Sequence, residues 1–209
     1  MSEVILWLVF SYLFASIPQG YLIVRYWSNK DIRKIGREKL SASNIIENVG
    51  FLPGLLSGVI DVFKGAIAVF GAQWLSFSGE IQALSGLLAI CGQMWPCFLR
   101  FWGGRGGATS IGALLVLCPK IVFFSGIIWI LSKLISKDKG AAIGMILFYL
   151  CSGGLGFYFK IKEVIIFSSL ALVLILIQRL LGKPGSLRKI QDKKVILWRL
   201  LLDRDTKEK

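Results

Sequence analysis

Ala108-Thr109-Ser110-Ile111-Gly112-Ala113-Leu114-Leu115-Val116-Leu117-Cys118-Pro119-Lys120-Ile121-Val122-Phe123-Phe124-Ser125-Gly126-Ile127-Ile128-Trp129-Ile130-Leu131-Ser132-Lys133 is apolar almost throughout, interrupted by Pro119-Lys120. A hydrocarbon core of about 30 Å takes roughly 20 apolar residues to cross as a helix. Read as one crossing the stretch is long enough; read as two, 108–118 and 121–132, each piece is short. The choice reverses the sidedness of everything downstream, and positive charge decides it. Arg25, Lys30, Arg33, Lys34, Arg37 and Lys39 crowd into 25–50, whereas 1–24 and 72–81 carry no Lys or Arg. Basic loops stay in the cytoplasm, which places the N-terminus outside and the first long loop inside, together with the loop bearing Arg100 and Arg105. An unbroken 108–132 then exports Lys133, Lys137, Lys139 and a tail, 182–209, with nine basic residues against four acidic. A break at Pro119 returns both to the cytoplasm. The expectation is an all-α polytopic membrane protein of seven segments, at about 4–24, 51–77, 81–99, 108–118, 121–132, 141–159 and 164–181. The fourth and fifth are short, and the C-terminus is cytoplasmic.

Composition agrees. The 209 residues are 55% hydrophobic and only 18% charged, with a mean hydropathy of +0.69. The excess of 25 Lys and Arg over 12 Asp and Glu gives +13, which in so apolar a chain belongs to a cytoplasmic rim rather than a nucleic-acid surface. Histidine is absent, which removes every triad, metal site and haem ligation built on it. Cys91, Cys97, Cys118 and Cys151 sit in apolar runs without a C-x-x-C pair, so neither a zinc site nor a disulfide framework is expected. The N-terminus lacks a basic region ahead of its apolar run and reads as a first span rather than a cleavable leader. Residues 1–181 form one transmembrane domain on this reading. Residues 182–209, with Val195, Ile196, Leu197, Trp198, Leu200, Leu201 and Leu202 among Lys193, Lys194, Arg199 and Arg204, read as a basic amphipathic helix on an anionic membrane surface.

Three places carry chemistry. Gly103-Gly104-Arg105-Gly106-Gly107-Ala108-Thr109-Ser110 leads into a helix on the cytoplasmic side; it suits an anion and equally suits a turn that lets helices pack closely. It is not a Walker A loop, which needs G-x-x-x-x-G-K-[ST]. The loop Asp31-Ile32-Arg33-Lys34-Ile35-Gly36-Arg37-Glu38-Lys39-Leu40-Ser41-Ala42-Ser43-Asn44 mixes cations with hydroxyl and amide groups that a phosphate can use, or serves topology alone. Asp61 and Lys64 share one face of an apolar helix and can neutralise each other; at membrane depth such residues are functional candidates, with a buried structural pair as the other reading. Gln93, at the inner end of the third span, either hydrogen-bonds a loop or caps its helix.

Taken in order, these segments resemble the PlsY family, small bacterial membrane acyltransferases that move an acyl chain from acyl-phosphate to glycerol 3-phosphate. Ser16-Ile17-Pro18-Gln19-Gly20 resembles S-x-P-x-G. Asp31-Ile32-Arg33-Lys34-Ile35-Gly36 with Ala42-Ser43-Asn44 resembles D-x-R-x-x-G-S-G-N-x-G-A-T-N, and Asp61-Val62-Phe63-Lys64-Gly65 matches D-x-x-K-G. Gly92-Gln93-Met94-Trp95-Pro96, Phe101 and Gly103-Gly104-Arg105-Gly106 with Ala108-Thr109 resemble G-H-x-x-P followed by F-x-G-G-K-G-x-A-T. The family has seven segments with its active-site loops facing the cytoplasm. This chain departs from the pattern at Gly36-Arg37-Glu38-Lys39 in place of G-S-G-N, at Ser41 for a glycine, at Glu47 for an arginine, at Gln93 for the histidine and at Arg105 for the lysine. Of a C-terminal R-x-x-x-N-x-x-R-L pattern it retains Arg179 and Arg188.

The resemblance implies an acyltransferase of phospholipid synthesis, in a bacterial cell membrane, making lysophosphatidic acid with no cofactor or metal, and acting as a monomer. Arg105, Lys64 and Asp61 are its expected catalytic residues. Ser16, Arg33, Lys39, Ser41, Ser43, Asn44, Gln93, Gly103, Gly104, Gly106 and Thr109 are the expected substrate contacts. Acyl-phosphate is an activated mixed anhydride, so positioning and anion stabilisation suffice without histidine. The altered motifs also fit a relative that binds lipid or acyl-phosphate without turnover, or one with a changed acceptor. A transporter fits poorly, because the polar residues cluster on cytoplasmic loops rather than along a pore.

Overall fold

The computed structural model describes residues 1–181 together with 196, 199 and 200, with the backbone alone over 136–141. The basic tail expected over 182–209 otherwise lies outside the described residues. All regular structure among them is helical: α1 (Ser2–Ser16), α2 (Gln19–Ser28), α3 (Ala42–Asn48), α4 (Phe51–Trp74), α5 (Gly79–Met94), α6 (Gly107–Leu117), α7 (Pro119–Tyr158) and α8 (Lys162–Leu181). Four stretches are long and apolar enough to cross a membrane: Ser2–Ser28, Phe51–Trp74, Gly79–Leu99 and Lys162–Leu181; Gly107–Leu117 and Ala142–Tyr158 are shorter and apolar. The chain divides into two compact units, Met1–Leu117 and Cys118–Lys209.

The first span is broken. Proline lacks an N–H and disfavours helical geometry in the residue before it. Ile17 accordingly leaves the helix with ψ 121°, ending α1, and α2 begins after Pro18. Within the first unit α4 is central. A Cβ added to Gly65 would overlap the backbone carbonyl of Thr109 on α6, and one on Gly112 would overlap that of Val62; small residues allow this backbone-to-backbone approach. Gly92 of α5 is pressed in the same way against the Tyr12 carbonyl of α1, and Ala15, Ala68 and Ala89 close the centre between α1, α4 and α5. The arrangement is inside out by soluble-protein standards. Phe63, Phe70 and Trp74 face outward at 59%, 61% and 79% exposure, while Asp61 and Lys64 on the same helix are 5% and 2% exposed. Apolar side chains suit lipid; the charges retreat inward.

In the second unit Pro119 occupies the first turn of α7 after an extended Cys118, a position where its missing N–H costs nothing. The helical stretch ending at Leu117 and the one starting at Pro119 are thus separate. Segments 121–132 and 141–159, expected as distinct, lie within the uninterrupted helical backbone of α7. That backbone nevertheless doubles back. Ser125 and Ser152, 27 residues apart, hydrogen-bond through their hydroxyls at 3.0 Å, whereas a straight helix would hold them about 40 Å apart at ~1.5 Å per residue. A Cβ on Gly144 would touch Trp129 and Ser132, so the reversal falls between Ser132 and Gly144. Arg179, in the last turn of α8, donates to the carbonyls of Ala142 at 2.8 Å and Leu200 at 2.7 Å.

Candidate active site

The site grows from the break at Pro18. In a continuous helix the Ala15 carbonyl would accept from the Gln19 N–H; here that N–H turns to Ile17 instead, at 3.0 Å. The released Ala15 carbonyl accepts from Lys64 Nζ at 2.8 Å, and the Ile17 carbonyl and the Gln19 Oε1 accept from the same ammonium. Gln93 Oε1, from α5, is a fourth acceptor at 3.0 Å. An ammonium has three protons, so four oxygens share them and satisfy a charge that could not otherwise be buried. Asp61 accepts from Gln19 Nε2. The face shared by Asp61 and Lys64 was expected; the amide of Gln19 that joins them was not. A polar amide after a proline in an apolar span was the available signal for it.

Above Gln93 lies the glycine loop. Gly104 N–H donates to the Gln93 carbonyl at 2.9 Å. A Cβ on Gly103 would overlap the carbonyls of Gln93 and Met94, and one on Gly104 would overlap that of Leu40. Gly106 has φ +68°, in the left-handed region. Close packing is therefore one real use of these glycines. Arg105 stands half-buried between the buried Gly104 and Gly106. Thr109, in the first turn of α6, is 0% exposed and its hydroxyl has no hydrogen-bond partner among the described residues.

The first loop is a second built structure. Asp31 caps the turn Ile32–Lys34 by accepting from Arg33 N–H at 3.0 Å, and its carboxylate takes both Nε and Nη2 of Arg33 at 3.0 and 2.8 Å. The Arg33 guanidinium lies 4.9 Å over the Tyr21 ring. These hydrogen bonds hold Asp31 below the ordinary carboxylate range and raise Arg33. Asn44 is 0% exposed. Its Nδ2 donates to the carbonyls of Ile35 at 3.2 Å and Lys39 at 3.0 Å, and its Oδ1 accepts from Arg37 N–H at 2.9 Å. It shapes the loop from beneath. Gly36, with φ +57°, has no room for a Cβ against Asn44 and Asn48. Ser41 caps α3, accepting from Asn44 N–H at 3.4 Å, and its hydroxyl stands 3.4 Å from that of Ser43.

The two loops meet. Trp102 Nε1 donates to the Glu38 carbonyl at 3.1 Å, and Gly104 lies on the Leu40 carbonyl. Asp61, Lys64, Gln93, Gly103 and Gly104 are thus joined in one network, with Lys39 and Ser41 on the loop that abuts it and Ser43 and Asn44 in the first turn of α3 that follows. Ser16 is turned away, its hydroxyl bonded to the Tyr12 carbonyl at 2.8 Å within α1, and Arg33 is engaged by Asp31. Gln19 and Trp102 are additions to the residues singled out from sequence, whereas Arg37 and Glu47, both read there as departures from the motif, are in contact at 2.7 Å. The pair had a signal in its two opposite departures from the motif.

Comparison with known proteins agrees with this architecture. Residues 5–183 match the family model described as glycerol-3-phosphate acyltransferase. Glycerol-3-phosphate acyltransferase 4 of Dehalococcoides mccartyi strain CBDB1 is 35% identical over 203 residues, covering 95% of this chain and 88% of the relative. Glycerol-3-phosphate acyltransferase 2 of Dehalococcoides mccartyi strain ATCC BAA-2266 is 43% identical over 117 residues, and that match spans 56% of each protein. Among solved structures, the glycerol 3-phosphate form of PlsY, an integral membrane protein, superposes with a TM-score of 0.77 at 23% identity, covering 90% of this chain and 92% of that one. The lysophosphatidic acid form gives 0.75 at 22%, covering 94% and 99%. The chain is a multi-pass membrane protein with the PlsY fold and belongs to the glycerol-3-phosphate acyltransferase family.

Proposed function

We propose that the protein transfers an acyl chain from acyl-phosphate to glycerol 3-phosphate, forming lysophosphatidic acid at the cytoplasmic face of a bacterial cell membrane. The observation that carries this reading is the junction of the two loops: an arginine-bearing glycine loop seated on Gln93 and, against it, a basic loop shaped by Asn44. The acceptor hydroxyl attacks the acyl carbon, a carbon–oxygen ester bond forms, and the bond from that carbon to the phosphate oxygen breaks. The electron pair leaves with phosphate, which also takes the hydroxyl proton. Arg105 and the loop backbone stabilise the departing anion. Lys39, Ser43 and Arg37 face the acceptor phosphate. Lys64, surrounded by four protein oxygens, acts with Asp61 through Gln19 and Gln93 as a positioning residue rather than by touching substrate. The protein works as a monomer with seven segments, α1 and α2 forming the first and the two arms of α7 the fifth and sixth, the N-terminus outside and the C-terminus inside.

Phosphate release from palmitoyl phosphate by the purified protein, with and without glycerol 3-phosphate, tests the reading. Acceptor-dependent turnover, reduced at least about 100-fold by Arg105→Ala, is the expected result. A folded wild-type protein that releases no phosphate with any acceptor would leave binding without turnover as its role.

A further inference from the structure

Gln93 stands where its two amide ends can be told apart by chemistry. A lysine ammonium has donors and no acceptor, so the Gln93 atom 3.0 Å from Lys64 Nζ is the oxygen, and the nitrogen necessarily points the other way. The same ammonium fixes Gln19, whose oxygen faces Lys64 and whose nitrogen faces the Asp61 carboxylate. One buried charge thus sets the polarity of both amides. The nitrogen of Gln93 lies 3.4 Å from where a Cβ on Gly104 would stand, so it is directed at Gly104 of the glycine loop. The residue is 8% exposed. Outside its own helix, its hydrogen bonds among the described residues are the one from Lys64 to Oε1 and the one from Gly104 N–H to its carbonyl, and neither uses the Nε2 protons. In the first turn of α6, directly after the loop, the buried Thr109 hydroxyl is without a partner among the described residues. Buried polar atoms in native proteins are as a rule hydrogen-bonded; the Thr109 hydroxyl, which is not, and the Gln93 amide nitrogen turned toward Gly104 together mark a place where a ligand supplies the acceptor.

We infer that the side-chain amide of Gln93 is a fixed hydrogen-bond donor to an oxygen of the acyl-phosphate group held at the glycine loop, with Lys64 setting its direction. This rests on the acyltransferase reading. The lone pair of an amide nitrogen is delocalised into its carbonyl and does not take up a proton, so residue 93 stabilises charge in this protein and takes no part in proton transfer.

The test compares Gln93→Glu, Gln93→Met and Gln93→His with the wild type in palmitoyl phosphate turnover at saturating glycerol 3-phosphate. Glutamate keeps an oxygen for Lys64 and turns a second oxygen on the substrate; methionine keeps the length without donor or acceptor; histidine accepts from Lys64 through one nitrogen and donates through the other. Both Gln93→Glu and Gln93→Met are expected to lose about 100-fold or more in kcat, the usual effect of removing one preorganised donor. Gln93→His should retain activity within about tenfold, a rescue that a merely structural role would not produce. Melting temperature and gel-filtration profile in detergent accompany each variant, and the Met and Glu variants carry the test separately if one fails to fold. An active wild type with equally active Gln93→Met overturns the inference and leaves the acyltransferase reading standing. A wild type inactive with every acceptor overturns that reading, and this inference with it.

Discussion

Arg37 and Glu47 depart from the family pattern in opposite senses, and their side chains meet at 2.7 Å. A cation is gained on the loop and one is replaced by a carboxylate on α3, so the pair keeps one cation, now on the loop, while its net charge falls by one from that of the motif's serine and arginine. Both side chains are nearly half exposed, and such a pair adds only about 0.2–1 kcal/mol to stability. Its value is in aiming a guanidinium. The Arg37 backbone is tied to Asn44 and its Nη2 to Glu47, leaving other donors of the fork for a phosphate. Arg37→Ser is expected to raise the KM for glycerol 3-phosphate about tenfold, the loss of one charge-assisted hydrogen bond of ~1.5 kcal/mol, without a comparable fall in acceptor-independent phosphate release. Adding Glu47→Arg should restore it by returning the cation from the other partner; steady-state kinetics of the single and double variants decide, and an unchanged KM in Arg37→Ser would refute the role. Asp31 offers a second test. Because its folded carboxyl is held low by Arg33, its contribution to stability is complete above the unfolded value near ~3.9 and is lost as pH falls through the folded one. The difference in melting temperature between wild type and Asp31→Asn should therefore be constant from about pH 8 to 5 and shrink below about 4. A difference that instead changes between pH 8 and 6 would show that another group controls the clamp.

At the scale of elements, two prolines act in different ways and only one is fully legible in the sequence. Pro119 sits between two apolar runs whose sidedness the lysines demand, so charge and backbone chemistry point to the same break. Pro18 lies within a single run long enough to span, and nothing local announces that it frees the Ala15 and Ile17 carbonyls for a lysine more than 40 residues away. Pro18→Ala is expected to let α1 continue into α2, returning the Ala15 carbonyl to the Gln19 N–H and withdrawing acceptors from Lys64. The expected outcome is a fall in turnover of about tenfold or more, with helix content by circular dichroism kept or slightly raised, since proline costs a helix interior ~3 kcal/mol relative to alanine. Full activity would mean that Lys64 does not depend on the break. The reversal inside α7 was less legible for another reason. Lys, Ser, Asp and Ala around 133–141 have ordinary helix propensity, so helical hydrogen bonding continues through a stretch that the charge pattern marks only as a loop.

For the whole molecule, one physical rule organises what the sequence could and could not convey. Lipid accepts apolar surface and rejects charge, which makes composition, span positions and charge asymmetry readable one residue at a time. The site is assembled by contacts such as Gln19 with Lys64, Trp102 with Glu38, and Gly104 with Leu40. Each joins positions far apart in the chain, and none leaves a local period. The resemblance to a family pointed to two loops that the fold brings into contact, while the partners of each side chain required the fold. Sidedness remains the global property most exposed to test. In a background with Cys91, Cys97, Cys118 and Cys151 replaced by serine, Ser76→Cys, on the exposed turn between α4 and α5, should react with a membrane-impermeant maleimide on intact cells. Ser43→Cys, on α3, should react only after permeabilisation. Lys133→Cys is the deciding position: the topology with a break at Pro119 keeps it inside and protected, whereas a single crossing through 108–132 would carry it outside. Labelling of Lys133→Cys on intact cells would reverse the orientation of everything beyond α6 and place the cations of 133–139 on the side that the distribution of charge opposes.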